Sequence, residues 1–300
     1  MVCGRLFQGD PRTGARWRRR RSCGAARPAS ARAPRRPLAW AAGAAEPGCE
    51  DGRVSERSRP SIFWLLAALV IPTLTASVDL RVRDIDKIPR KGAFVFAPNH
   101  YSEIDPFITG WVLWRAGRAP RFLAKASLFK IPVAGAILRA SGQIPVERAG
   151  SVRGSEPLKA AKELVDRGGS VLIYPEGTLT RDPELWPMRG KTGAVRMALQ
   201  YGLPVVPVAH WGTQQVMGRY SKKITLFRRK RVDVLVGDPV DLSAFRGRSL
   251  DSATLNEAST VVMAAITRLL EELRGETAPE KRWNPAEHNQ KGTGRFEQGQ

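Results

Sequence analysis

The spacing of apolar and polar positions divides the chain into short apolar runs separated by stretches of helical period. Residues 61–78, Ser-Ile-Phe-Trp-Leu-Leu-Ala-Ala-Leu-Val-Ile-Pro-Thr-Leu-Thr-Ala-Ser-Val, are nearly uncharged. A spanning helix needs roughly 20 apolar residues, so this run sits at the lower limit. Pro72 would kink it. Arg57 and Arg59 on one side, with Asp79, Arg81 and Arg83 on the other, give it polar ends, and Trp64 suits an interface. The pattern predicts a membrane-embedded or interfacial helix, with a buried helix on a soluble core as the alternative. Strands are predicted at Ala93–Ala97, Arg121–Ala124, Gln143–Val146, Ser170–Tyr174, Val205–Ala209 and Val232–Val236. Helices are predicted at Asp105–Trp114, Ile131–Ala140, Glu156–Arg167, Lys191–Tyr201 and Leu255–Leu273. Helix starts and stops support these bounds: Asp105 and Pro106 open one helix, while Gly168-Gly169 and Gly202 close two others. Strands alternating with helices predict an α/β domain, with a mostly parallel central sheet flanked by helices.

Composition separates this core from its ends. Residues 1–59 are rich in Arg, Ala, Pro and Gly, without apolar periodicity, and read as a disordered tail. Residues 1–60 hold fourteen Arg, no Lys and five acids, or +9 of the chain's +21, which leaves +12 for the remaining 240 residues. Three accounts of the tail stand: a transit peptide, a tether to nucleic acid or membrane, or a start site placed too far upstream, with Val54 as the start. The exclusive use of Arg favours the third. The expected folded core is then residues 60–274, and residues 275–300 are polar enough to read as a second disordered tail. All three cysteines lie before residue 50, so the core has no disulfide framework, zinc spacing or cysteine nucleophile. A basic core points to nucleic acid, anionic membrane or phosphorylated ligands, and charge alone does not choose among them.

Three clusters carry candidate chemistry. His100 follows the Ala93–Ala97 strand, and Asp105 comes five residues later at a helix start. A loop of that length can fold the carboxylate back onto one ring nitrogen, leaving the other as a general base for a substrate hydroxyl. The plainer alternative is a capping Asp and an incidental His. Tyr174-Pro175-Glu176-Gly177-Thr178-Leu179-Thr180-Arg181 also follows an apolar strand, and it reads as a phosphate-cradling loop or as a simple turn. Lys125 and Arg148 end two further strand segments, where a guanidinium can bind an anion bidentately or lie solvated on the surface. His210 follows an apolar strand and reads as structural, and His288 falls in the polar tail.

Taken in order, these blocks resemble the bacterial 1-acylglycerol-3-phosphate acyltransferases and their relatives in the glycerolipid acyltransferase superfamily, over residues 60–270. Asn99-His100-Tyr-Ser-Glu-Ile-Asp105 is similar to that family's Asn-His-x4-Asp. Gly142-Gln-Ile144-Pro145-Val146-Glu-Arg148, with Lys125 upstream, is similar to its Gly-x-Ile-x-Val-x-Arg block. Tyr174-Pro175-Glu176-Gly177-Thr178 is similar to its Phe-Pro-Glu-Gly-Thr, and Leu203-Pro204-Val205-Val206-Pro207-Val208 to its apolar strand with a central Pro. The resemblance implies His100 as general base and Asp105 as its orienting acid. It also implies that Lys125, Arg148, Glu176, Gly177, Thr178 and Arg181 hold the acceptor. Its donor would be acyl-CoA or an acyl carrier protein, with no cofactor and no metal. The partners would be membrane lipids at the cytoplasmic face of the cell membrane, with no nucleic acid, and no nucleic-acid module is recognisable. One departure stands out: Leu179-Thr180 replace the family's Arg-Ser, and Arg181 comes two places late. This leaves the acceptor open to another lysolipid or glycolipid. A thioesterase and a non-enzymatic basic membrane protein are the remaining classes.

Overall fold

The computed structural model describes residues 62–146, 162–221, 223–225 and 229–290. All of them belong to one compact unit, Cys49–Gln300. The Arg-rich segment and Arg148 lie outside the described residues.

Five strands form the main sheet: β1 (Val78–Arg83), β2 (Phe94–Pro98), β5 (Ser170–Leu172), β6 (Val205–Trp211) and β7 (Lys230–Val236), in the order β1-β7-β6-β2-β5. β2 pairs parallel with both β5 and β6, β1 pairs parallel with β7, and only β6 and β7 meet antiparallel. A small parallel sheet of β3 (Leu123–Lys125) and β4 (Ile144–Val146) joins the main one through a parallel bridge from Phe122 to Leu172. β2, β5, β3 and β4 therefore run in one sense, and their carboxyl ends share an edge. The loops carrying His100 and Glu176 leave from that edge, and Lys125 ends β3 there.

The central strand β2 is a continuous buried apolar run because both its faces are covered. Side chains alternate across the sheet. Val95, Ala97 and Val171 pack on one face against α4 (Gly193–Tyr201) and α5 (Ser252–Arg274), through Met197, Ala198, Val262 and Ile266. Phe94, Phe96 and Leu172 face the other way, onto Ile108, Val112 and Leu113 of α2 (Asp105–Arg115) and Leu74 of α1 (Ile62–Ser77). A short helix, α3 (Pro132–Ala140), bridges the strands of the small sheet. Arg118, 1 % exposed, fastens the turn after α2, donating to the carbonyls of Pro89, Gly92 and Gly168 at 2.7 to 2.8 Å.

The α/β architecture and mostly parallel sheet agree with the expectation. Residues 162–166 are helical, and the start of the expected Glu156–Arg167 helix lies outside the described residues. β1 was not anticipated. Its Val78, Leu80 and Val82 alternate with Asp79, Arg81 and Arg83, a strand signal that the charges disguise as the polar end of a helix. The expectation of disorder after Arg274 is corrected for residues 275–290. Arg189 donates its backbone N–H to the Trp283 carbonyl at 2.8 Å, Pro285–His288 form a 3₁₀ turn, and Trp283 stacks on His288 at 3.6 Å. A polar segment docks here through two anchors, Trp283 and buried Pro285, which composition averages away. α1 buries only Phe63, Leu74 and Ser77, while Leu65 and Leu69 are each 71 % exposed. Among the described residues no helix is long and apolar enough to cross a membrane.

Candidate active site

His100 leaves the carboxyl end of β2 and Asp105 opens α2. The intervening loop closes on itself because the Asp105 carboxylate gathers the local donors. Its Oδ2 accepts the N–H groups of Tyr101 and Ser102, both at 2.8 Å, and lies 3.0 Å from His100 Nδ1. Its Oδ1 accepts the Thr213 hydroxyl at 2.6 Å. Thr213 arrives from beyond β6 through Gly212, at φ 113°, where a Cβ would lie 2.2 Å from the Arg231 carbonyl oxygen. Only glycine fits this turn.

Burial of Asp105 would raise its pKa. The positive influence of His210 and His100 and the hydrogen bonds from His100 and Thr213 outweigh it, and the group sits below its ordinary value. An ionised carboxylate facing Nδ1 makes that nitrogen the one bearing the proton. Nε2 then keeps its lone pair and has no hydrogen-bond partner among the described residues. The ring stacks on Tyr174, centroids 3.9 Å apart at 21°, which fixes its plane. Tyr174 is held in turn: Thr109 donates to the Asp105 carbonyl at 2.8 Å, so the Tyr174 hydroxyl donates to Thr109 at 2.9 Å. Burial and then the Asp105 charge push Tyr174 well above the usual tyrosine value, so it stays neutral.

The strand neighbour β6 supplies a second frame. Asn99 pairs with His210 like an extra rung of the sheet, Nδ2 donating to the His210 carbonyl at 3.1 Å and Oδ1 accepting its N–H at 2.9 Å. The Tyr101 hydroxyl donates to the same carbonyl at 2.7 Å. His210 Nε2 lies 2.9 Å from the Asn99 carbonyl, an acceptor only, so Nε2 carries the proton. Burial lowers the His210 pKa against the opposing Asp105 charge. His210 is thus a framework group, as its sequence context suggested.

The loop after β5 is tied to this centre. Glu176 Oε1 accepts the His100 N–H at 2.9 Å, its Oε2 accepts the Met188 N–H at 3.1 Å, and Thr180 donates its N–H to the His100 carbonyl at 2.7 Å. Burial pushes the Glu176 carboxyl up to about 8, against the pull of the Met188 and His100 donors. Gly177 takes φ 70° to make the turn, with the Lys191 side chain lying across it. Thr178 is buried beside it. Lys125 is exposed at the end of β3, in register with Val146, two residues before Arg148. Arg181, 4 % exposed, lies buried in the same loop. Arg219 braces the same loop, donating to the carbonyls of Thr180 and Asp182 at 2.8 and 2.7 Å.

The structure thus brings His100, Asp105, Glu176, Gly177 and Thr178 together, and places Lys125 on the same sheet edge. Residues 79–211, which hold all of them, match the sequence model of the acyltransferase family. Over these residues the chain is similar to that family. Curated relatives of this domain agree. It is 32 % identical over 168 residues to a chloroplastic 1-acyl-sn-glycerol-3-phosphate acyltransferase of Brassica napus, covering 55 % of this chain and 47 % of that one. It is 30 % identical over 156 residues to a 1-acyl-sn-glycerol-3-phosphate acyltransferase of Borreliella burgdorferi, covering 52 % and 60 % respectively. The chain thus spans about half the length of the curated relatives it matches. The crystal structure of the LPA acyltransferase PlsC from Thermotoga maritima shares the fold, with TM-score 0.53 and 22 % identity over 74 % of this chain and 86 % of that one.

Thr213, His210, Thr109 and Tyr101 were not anticipated as parts of the site. Asp105 and Thr213 stand 108 residues apart, and no local pattern marks a threonine for such a contact.

Proposed function

We propose that this chain transfers a fatty acyl group from acyl-CoA or an acyl carrier protein to the free hydroxyl of a lysophospholipid. The acceptor is 1-acyl-sn-glycerol-3-phosphate and the product phosphatidic acid. The observation that carries this reading is the His100–Asp105 contact at 3.0 Å, with Nε2 left to accept a proton. His100 Nε2 takes the hydroxyl proton as the oxygen attacks the thioester carbonyl carbon. The carbon–sulfur bond breaks, and the thiolate leaves with the proton that His100 returns. Asp105 holds the ring and offsets the charge of the transient imidazolium. The substrate brings its own nucleophile, so the step invokes no protein nucleophile and no cofactor.

Lys125, Arg148 and the Glu176-Gly177-Thr178 loop hold the acceptor's phosphate and glycerol. Arg181, enclosed, shapes that loop from within. The exposed Leu65 and Leu69 of α1, with Trp64 46 % exposed, rest in the membrane interface at its cytoplasmic face, where the lipid substrate resides. Labelled acyl-CoA and acyl carrier protein, each tested with a panel of lysophospholipids, decide the reading. Labelled phosphatidic acid from lysophosphatidic acid is expected. Product on a different lysolipid alone would reassign the acceptor, as the Leu179-Thr180 departure allows. Free fatty acid without acylated lipid would replace the transferase with a thioesterase.

A further inference from the structure

The apolar residues that follow β3 stay outside the core. The 3₁₀ turn Ala126–Lys130 leads through Ile131 into α3, and Leu128, Ile131 and Val133 are 42 %, 50 % and 73 % exposed. Pro132 and Ala136 are exposed with them. Single apolar side chains on a surface are ordinary, whereas a run of them on one turn marks a contact surface. Backbone contacts fix the turn. Gly135 donates its N–H to the Ile131 carbonyl at 2.6 Å, and a Cβ on it would lie 2.2 Å from the Phe129 carbonyl oxygen. Only glycine lets α3 pass so close. Arg139 Nη1 donates to the same Phe129 carbonyl at 2.8 Å. The turn and the start of α3 thus form one unit with an apolar tip.

Charge surrounds the tip with one sign. From residue 106 to residue 146 the sequence holds six cations, Arg115, Arg118, Arg121, Lys125, Lys130 and Arg139, and no Asp or Glu. Lys125, Lys130 and Arg139, which bracket the tip, are exposed. Long basic side chains beside an apolar surface lay their stems along it and hold their charges outward. An apolar tip ringed by cations matches the layering of an anionic bilayer, where headgroup phosphates lie above acyl chains. Nucleic acid would satisfy the cations but leave Leu128, Ile131 and Val133 in water.

We propose that residues 125–139 dip into an anionic lipid surface. Leu128, Ile131 and Val133 enter the acyl-chain boundary, and Lys125, Lys130 and Arg139 meet the headgroups. This contact is separate from α1. The turn starts where β3 ends, on the edge from which the His100 loop leaves, so seating it brings that edge toward the lipid. The contact does not depend on the acyl-transfer reading, because binding is measured without turnover.

The test uses the full chain and vesicles of phosphatidylcholine, alone or mixed with phosphatidylglycerol. With Cys3, Cys23 and Cys49 replaced by Ser, Val133→Cys carries an environment-sensitive dye, and Thr260→Cys, exposed on α5, carries it as the control. Mixed vesicles should shift the emission at residue 133 to the blue and leave that at residue 260 unchanged. In flotation, the combined Leu128→Ser, Ile131→Ser and Val133→Ser variant should bind mixed vesicles about tenfold or more weakly than the parent. Lys130→Gln should weaken binding about fivefold, and only to the mixed vesicles. These side chains are exposed, so the melting temperatures should stay near the parent's. No shift at residue 133, or equal shifts at both positions, would overturn the proposal. So would parental vesicle binding by the triple variant. A blue shift in buffer that fades on dilution would overturn it by assigning the tip to a second copy of the chain. Absence of acyl transfer by the unaltered chain would strike the function reading and leave these outcomes as they stand.

Discussion

Replacing Thr213 with Val tests whether the catalytic loop is organised around the Asp105 carboxylate. Valine keeps the shape of the side chain but removes the hydroxyl that donates to Oδ1 at 2.6 Å. Oδ1 of a fully buried carboxylate then loses its donor. A hydrogen bond to a charged group contributes about 1.5–3 kcal/mol, and the buried oxygen gains no water in exchange. That is about one to two pKa units upward for Asp105. The sign follows from the direction of the shift. The folded-state pKa lies below the unfolded one, so the carboxylate adds stability above about pH 3.9, which is lost as pH falls through the folded value. Raising the folded value moves the acid-unfolding midpoint to higher pH. At neutral pH the melting temperature should fall by about 5–10 °C. The His100 contact to Oδ2 survives, so acyl transfer should drop by no more than about tenfold. Thr213→Ser restores the donor and should recover most of the loss. Circular-dichroism melts from pH 3 to pH 8 check the reasoning. A Thr213→Val chain that melts within 1 °C of the parent, with the same acid midpoint, would refute it.

Other substitutions probe neighbouring parts. Asp105→Asn keeps the volume but removes the charge that orients His100, and kcat should fall about 10²- to 10⁴-fold with little change in acceptor KM in a thiol-release assay. Glu176 has a raised folded-state pKa, so its contribution is full below about pH 4.3 and is lost as pH rises toward about 8. Glu176→Gln should therefore flatten the decline of melting temperature between pH 5 and pH 8. Arg118→Met removes the buried guanidinium from which three backbone carbonyls accept and should lose about 3 kcal/mol in urea titrations. Its activity per folded molecule should not change.

Sequence pattern carried much of this structure because the main elements are strongly marked. β2 is an uninterrupted apolar run, β5 and β6 are largely apolar, and α4 ends at Gly202, where the glycine stop was expected. The His100–Asp105 pair was legible because its partners lie five residues apart, close enough for one loop to join them. Local spacing left it ambiguous, and the later blocks raised it to a candidate site. What escaped was non-local or disguised. The Thr213 donor reaches Asp105 only through the β2–β6 pairing and the Gly212 turn. Arg181 looked available in the sequence, yet the loop closes over it. The strap after α5 reads as polar, and its attachment rests on single residues such as Trp283 and Pro285 rather than on any periodicity.

The central claim is that His100, held by Asp105, removes the proton from the acceptor hydroxyl. Its most direct test is acyl transfer from labelled acyl-CoA to lysophosphatidic acid by His100→Ala, with melts to establish that the variant is folded. The account predicts that phosphatidic acid formation falls at least about a hundredfold while the folded fraction is retained. A folded His100→Ala chain that forms phosphatidic acid at the parent rate would contradict it.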